Sequence, residues 1–321
     1  LSNCKAGEDG GAVYVRGNHA KFDNVTSVNN TALQGGSSYI IGDNVVVQNS
    51  RFTNNTAIKI DDPYAGNGGA IKIDGDNSKF LNNTISYNKA NSGGGVNIDG
   101  ENALFMYNIL TFNSVTGFNS AGGAVALQGA NANFTHNNIS SNKADDNGGG
   151  MFIASENAYI EDLYAFNNTA ENGGFAKIFY GENLIIKNST FVSNHAIGDI
   201  GRDRGEGGAF HLDWAVNADI QANFYNNSAT NGSAIYVQWS EDVRIHDSNF
   251  FDNLAKSYLL EIDYDRFGSS ANCTVKGVCN CSCHCTQNKS MLHTHALNTN
   301  SKHLFGANGD VCECNCGCSG N

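Results

Sequence analysis

Proline is nearly missing from this sequence: Pro63 is the single one in 321 residues. Basic residues are scarce as well, 19 Lys and Arg against 31 Asp and Glu, for a net charge of −12. An acidic chain without a basic stripe argues against a nucleic-acid partner. There is no run of about 18 apolar residues, so no segment reads as a membrane-spanning helix. No G-x-G-x-x-G opens a helix, so the glycines are not a phosphate cradle. A signal peptide is lacking and the chain starts at Leu1 rather than Met, which reads as a mature or trimmed piece of a longer precursor. Disorder is excluded too, because 40% of the residues are hydrophobic and they recur regularly.

What is abundant is glycine, at 37 residues, and asparagine. The glycines are phased: GGAVYV at Gly10 returns as GGSSYI at Gly35, GGAIKI at Gly68, GGGVNI at Gly93, GGAVAL at Gly122, GGGMFI at Gly148, GGFAKI at Gly173, GGAFHL at Gly207 and GSAIYV at Gly232. The base period is 25 residues, lengthened in places to as much as 34. Helical repeats need longer units and helix formers. Here each unit holds short alternating runs such as AIKI, bounded by Gly and Asn, which read as strands and turns. Three short strands and three turns per unit predict one coil of a right-handed, single-stranded parallel β-helix. Residues 1–265 form this solenoid of 9–10 coils, and residues 266–321 form a Cys-rich extension. Stacking puts Val13 and Val15 in line with Ile71 and Ile73, Val96 and Ile98, and onward to Ile235 and Val237. No coil can bury its apolar face alone, so each needs its neighbours.

An asparagine recurs between the strand runs, ahead of the glycines: Asn30, Asn55, Asn88, Asn113, Asn142, Asn168, Asn194, Asn227 and Asn253. Asn tolerates positive φ in turns, and identical amides stacked about 4.8 Å apart can bond each other along an axis. These nine are read as a structural ladder rather than as a functional site. Thirteen Asn-x-Ser/Thr sequons also occur, at Asn24, Asn29, Asn54, Asn82, Asn133, Asn138, Asn167, Asn188, Asn226, Asn231, Asn272, Asn280 and Asn288. Together with ten cysteines they favour an extracellular glycoprotein.

The phased GGA[I/V/L] and F-x-x-N elements over residues 8–262 resemble the repeat of polymorphic outer-membrane proteins. They are also similar to adhesin-like β-helix surface proteins of methanogenic archaea. The resemblance implies a right-handed parallel β-helix at the cell surface, often adhesive, and it transfers no catalytic residue. The outer-membrane family's C-terminal barrel has no counterpart here, and the Cys-rich tail lies outside the pattern.

Many β-helices carry polysaccharide lyases and hydrolases, which need carboxylates clustered on one face. The insertions at 58–67, 116–121 and 197–206 all fall between the ladder Asn and the glycine pair, so they leave one edge of the rod. They carry Asp61, Asp62 and Asp203, which are read as charged loop residues, with calcium ligation the competing role. No catalytic residue is assigned. A carboxylate cluster on adjacent coils beside a groove would favour an enzyme. Trp214 and Trp239 occupy equivalent places and are expected to stack on adjacent coils, as core or turn packing in preference to a sugar platform.

Eight cysteines form two Cys-x-Cys-x-Cys-x-Cys runs: Cys279, Cys281, Cys283, Cys285 and Cys312, Cys314, Cys316, Cys318. In a strand each run lies on one face. Antiparallel pairing would set 279 against 318, 281 against 316, 283 against 314 and 285 against 312; stacking as parallel rungs is the alternative. Oxidised, the sulfurs are staples; reduced, they resemble a metal–thiolate cluster. The extracellular setting favours disulfides. Cys4 before the first coil and Cys273 after the last are about 40 Å apart on a rod of this length. A disulfide needs Cα atoms within about 7 Å, so these two are assigned to links between subunits. The resulting expectation is a non-enzymatic structural or adhesive protein that binds itself head to tail in a filament, with cell-surface glycans as further partners and no obligate cofactor.

Overall fold

The computed structural model describes residues 1–58, 66–198, 205–263, 271–275, 279–285, 291–294, 303–305 and 311–318, with side chains through residue 255. Asp61, Asp62, Asp203 and Asn288 lie outside the described residues. Strands, turns and bends make up the described chain, and it has no helix.

The fold is an all-β parallel solenoid of about nine turns. Coils through the sixth carry four strand segments where three were expected, and in later coils some of these merge, as in Ile185–Val192 and Ser228–Gln238. In one coil the four are Val96–Asp99, Leu104–Met106, Ile109–Thr111 and Ser114–Val115. The fourth is two residues long, too short for alternation to reveal it. Equivalent segments of successive coils pair in parallel and build two long sheets. The first and fourth segments belong to one sheet, the second and third to the other.

The register is the one the repeat dictates. Val13, Ser38, Ile71, Val96, Val125, Met151, Ala176, Phe210 and Ile235 follow one another along the axis. Their side chains from Ser38 onward are buried, as are the columns two residues further on and on the opposite sheet. Phe80, Phe105 and Phe134 stack with ring centroids 4.6 and 4.7 Å apart. Like residues therefore meet at the strand spacing, where aromatic stacking adds to area burial.

The nine ladder asparagines line up, all buried. Asn142 shows the pattern: its backbone N–H and Nδ2 both donate to Asn168 Oδ1, at 3.0 Å each, and its own Oδ1 accepts from Asn113 N and Nδ2 at 2.9 and 3.0 Å. Nδ2 also donates to the Leu110 carbonyl at 2.9 Å. The expectation that one asparagine serves both purposes needs correction. The ladder residues lack positive φ, and the residue before each one takes it: Asn29, Asn54, Tyr87, Phe112, Ser141, Asn167, Ser193, Asn226 and Asp252 have φ between 50° and 58°. A second buried ladder, Asn83, Asn108 and Asn137, runs beside the first. It spans three coils only, which hid it from a search for repeats.

The second glycine of each pair is required by close approach. A Cβ on Gly123 would stand 2.0 Å from the Gly149 carbonyl oxygen, and one on Gly94 2.1 Å from that of Gly123. The first glycine has φ near +60°, as at Gly122 with φ 67°.

The two ends of the rod differ. At the N-terminal end residues 2, 5 and 9 already pair with the next coil, so Cys4 lies within a first partial coil, not before it. That coil has no neighbour on its outer side in this chain segment, and Val13, Val15, Ala20 and Val25 are only partly buried there. At the other end the sheets continue into antiparallel strands. Leu254–Asp263 pairs antiparallel with Met291–Thr294. Ala271–Val275 adds one parallel contact, Ile245 to Cys273, and then pairs antiparallel with Cys279–Cys285. Part of the last coil's edge in each sheet is thus paired with strands of the same chain.

Candidate functional site

Outward positions of the first strand segment form two rows along one face. The inner row reads Tyr14, Tyr39, Lys72, Asn97, Ala126, Phe152, Lys177, His211, Tyr236, and the next reads Arg16, Ile41, Asp74, Asp99, Gln128, Ala154, Phe179, Asp213, Gln238. Charged and aromatic side chains gather at two places in these rows.

The first place is on the N-terminal half. Asp74 and Asp99 sit directly side by side on adjacent coils. Lys72, with its side chain only 5% exposed, reaches both carboxylates, Asp74 Oδ1 at 2.9 Å, and also donates to Asn97 Oδ1 at 2.8 Å. Tyr39 donates its hydroxyl to Asp74 Oδ2. Burial, together with this carboxylate, holds the Tyr39 phenol protonated well above its ordinary range. Adjacent carboxylates are what sequence reasoning required of a glycan-cleaving site, and alternating Lys-x-Asp and Asn-x-Asp on consecutive coils was the signal for them. The arrangement is a closed network, with the lysine filling the space between the two acids.

The second place is on the C-terminal half. Lys177 Nζ lies 3.4 Å from Asp213 Oδ2. Burial pushes the Asp213 carboxyl up, and Lys177 opposes that shift. His211 is 2% exposed, with Nδ1 3.6 Å from Glu206 and its ring edge-on to Tyr236 at 5.1 Å. Asp213 Oδ1 and both His211 ring nitrogens are buried and make no hydrogen bond. Burial, then the nearby Lys177 charge, pushes the His211 pKa well down, with Gln238 pulling weakly the other way. The imidazole is therefore neutral in the folded protein at neutral pH.

That shift carries a stability consequence. A histidine whose folded pKa is depressed stabilises the fold above its unfolded value of 6.5 and loses that contribution as pH falls below it. Wild-type protein is expected to lose about 1.4 kcal/mol per pH unit below that point from this group. Thermal melts at pH 7.5 and 5.0 should show a larger drop for wild type than for His211→Gln; equal drops would remove His211 as the cause.

Beside this cluster the turn changes character. Earlier coils place Gly17, Gly42, Gly75, Gly100, Gly129 or Ser155 after the second outward residue, whereas the last three place Tyr180, Trp214 and Trp239. These aromatics have φ of 52°, 58° and 49°. A left-handed conformation costs a bulky residue of order 1 kcal/mol. Their rings rise along the axis, Tyr180 to Trp214 at 5.9 Å and Trp214 to Trp239 at 5.3 Å. Adjacent stacking of the two tryptophans is thus as expected; their turn is half-exposed rather than core.

Among the sequons, Asn24, Asn29, Asn54, Asn82, Asn167, Asn188 and Asn226 are exposed and occupy left-handed turn positions. Asn133, Asn138 and Asn231 are half-buried within strands. Asn272 and Asn280 lie on strands whose side chains are outside the described set. The Asn-Asn-Thr triplets arise from the fold itself: an outward turn Asn, the buried ladder Asn, then the first strand residue.

The backbone of the two cysteine runs pairs antiparallel. Cys279 faces Cys318, Cys281 faces Cys316, Cys283 faces Cys314, and His284 faces Glu313. Cys273 stands between Ile245 and Cys283, inside a sheet and not on its edge. Sulfur positions in Cys273 and in the two runs lie outside the described side chains. Cys4 is a free, half-buried thiol whose backbone N–H donates to Asn30 Oδ1 at 2.8 Å, at the foot of the ladder.

No family model matches the chain, and no curated protein does. Among solved structures, the Dettilon tailspike protein (gp208) is similar at 11% identity and a TM-score of 0.38, over 94% of this chain and 66% of that one.

Proposed function

We propose that this chain is a non-enzymatic rod of the extracellular surface, structural or adhesive in role, that associates with further copies head to tail. The observation that carries this reading is the solenoid itself: about nine coils in parallel register, each burying its apolar columns only against its neighbours. An open parallel edge is a template for another strand, and a contact between unlike surfaces propagates as a filament. Cys4, a free thiol in the first partial coil, is the residue we assign to lock such a contact. The partner cysteine is sought among Cys273 and the two C-terminal runs. Exposed sequons on seven turns, and the ten cysteines, support a secreted, glycosylated setting.

Non-reducing electrophoresis and light scattering test this. A ladder of multimers that collapses with reductant and is missing in Cys4→Ser supports head-to-tail assembly. A dimer that grows no further identifies a face-to-face pair and overturns the filament, and a monomer at all concentrations overturns self-association.

The enzymatic reading has one observation in its favour, Asp74 beside Asp99. A glycosidase requires one carboxyl as acid and the other as base or nucleophile, with sugar between them. Here Lys72 stands in that space, so the network is assigned to holding adjacent coils together.

A further inference from the structure

We propose that coils seven to nine carry a binding subsite for a neutral oligosaccharide, made of the Tyr180, Trp214 and Trp239 ladder and the polar groups of Asp213 and Gln238 beside it. Three independent features meet there. The first is the ladder itself: three aromatic residues rise along the axis one per coil with left-handed backbone, at the turn where earlier coils hold Gly or Ser155. Strain of this kind persists where something other than stability requires the side chain. Tyr180 packs against Phe179 and Trp214 yet stays 56% exposed, which leaves ring surface open to a ligand. The second is the unanswered polar atom next in sequence. Asp213 Oδ1 is buried without a donor. A sugar hydroxyl can donate to such a carboxylate oxygen while accepting from a neighbouring amide such as that of Gln238. The third is charge. Lys177 and Asp213 offset each other and His211 is neutral, in a chain of net −12. A polyanion is repelled there, and a neutral polyhydroxylated chain is not.

The array repeats along the rod at the coil spacing, so it fits a ligand that is itself a linear repeat. Aromatic faces supply sugar-ring contact, and the polar row supplies direction. The proposal gives the adhesive reading a ligand class and rests on that reading only for its biological setting.

The chain contains just two tryptophans, and both belong to the ladder. Intrinsic tryptophan fluorescence therefore reports on this place alone. Full-length protein is titrated with maltotetraose, cellotetraose and chitotetraose, and with tetragalacturonate as the acidic comparison. The expected result is a saturable change with at least one neutral tetrasaccharide, weakened about tenfold or more by Tyr180→Asn and by Asp213→Asn, both of which keep the reporters. Tyr180→Asn puts at this turn the residue most common at the rod's non-glycine left-handed positions, so its melting temperature should hold or rise while binding falls. A merely structural tyrosine would not separate the two. No saturable change up to about 10 mM of any neutral sugar overturns the proposal. A response to tetragalacturonate alone overturns its charge argument, and a response indifferent to both substitutions overturns the location. Because binding is read on single rods and assembly on multimers, either proposal can fail without the other.

Discussion

Replacing Asn142 by alanine will lower the stability of the rod more than removing any exposed asparagine. The change strips acceptors from Asn113 N–H and Nδ2 and a donor from the Leu110 carbonyl, all buried. A buried group left unpaired costs about 1–3 kcal/mol, so a loss of roughly 3–6 kcal/mol is expected from these groups together. Water cannot repair it without entering a core packed by Leu110 and Ile139. Asn131→Gly provides the control, because glycine keeps the left-handed backbone of that position (φ 64°). The Asn131 amide donates to Asn102 Oδ1, but the site is exposed, and loss there should stay within about 1 kcal/mol. Circular-dichroism melts of the two variants decide the matter. Equal shifts would mean that the ladder follows the coils rather than holding them.

The second large effect is expected from Gly123→Ala, a single methyl group. Its Cβ would meet the Gly149 carbonyl oxygen at 2.0 Å and the Lys143 backbone at 2.8 Å. All of these contacts are backbone, so no side chain can swing aside. The two coils must separate, and the rungs between them break. In a solenoid each coil is stabilised by its neighbours, so the break should divide the rod into two units that melt separately. Limited proteolysis should then cut near residues 116–121, where the loop already leaves the rod, and the melt should become biphasic or fail to form a folded baseline. Gly7→Ala is the matched control, because a Cβ there meets nothing within 4 Å. A single cooperative transition at the wild-type temperature in Gly123→Ala would show that the stacking is looser than the geometry implies.

Both predictions rest on residues that the sequence had already singled out, and the reason is periodicity. A coil that rests on a copy of itself forces the same choice at the same place, nine times over, so Asn30 through Asn253 and Gly10 through Gly232 stand out by repetition alone. Where repetition stops, legibility stops. The three-rung Asn83 ladder went unseen for that reason, as did the two-residue fourth strand. The left-handed backbone was attributed to the ladder asparagine when it belongs to the residue before it, because adjacent Asn-Asn pairs blur which amide faces inward.

The candidate surfaces show the same divide. Asp74 and Asp99 lie 25 positions apart, and only the parallel register sets them side by side with Lys72 between them. The grouping of Lys177, His211, Asp213 and the aromatic turn likewise needs three coils in register, across the lengthened interval that contains the 197–206 insertion. Trp214 and Trp239 were visible as equivalents, whereas Tyr180 was not, because no repeated letter marked it.

Composition and period alone determined that this chain is a parallel β-solenoid with a buried amide ladder, since stacking like on like is the one way its short, self-similar units can bury their apolar faces. Tertiary structure alone decided which outward residues become neighbours and how the chain continues after the last coil. Outward positions are free of the packing constraint that makes inward ones repeat, and the antiparallel pairing of the C-terminal strands is not encoded by the repeat.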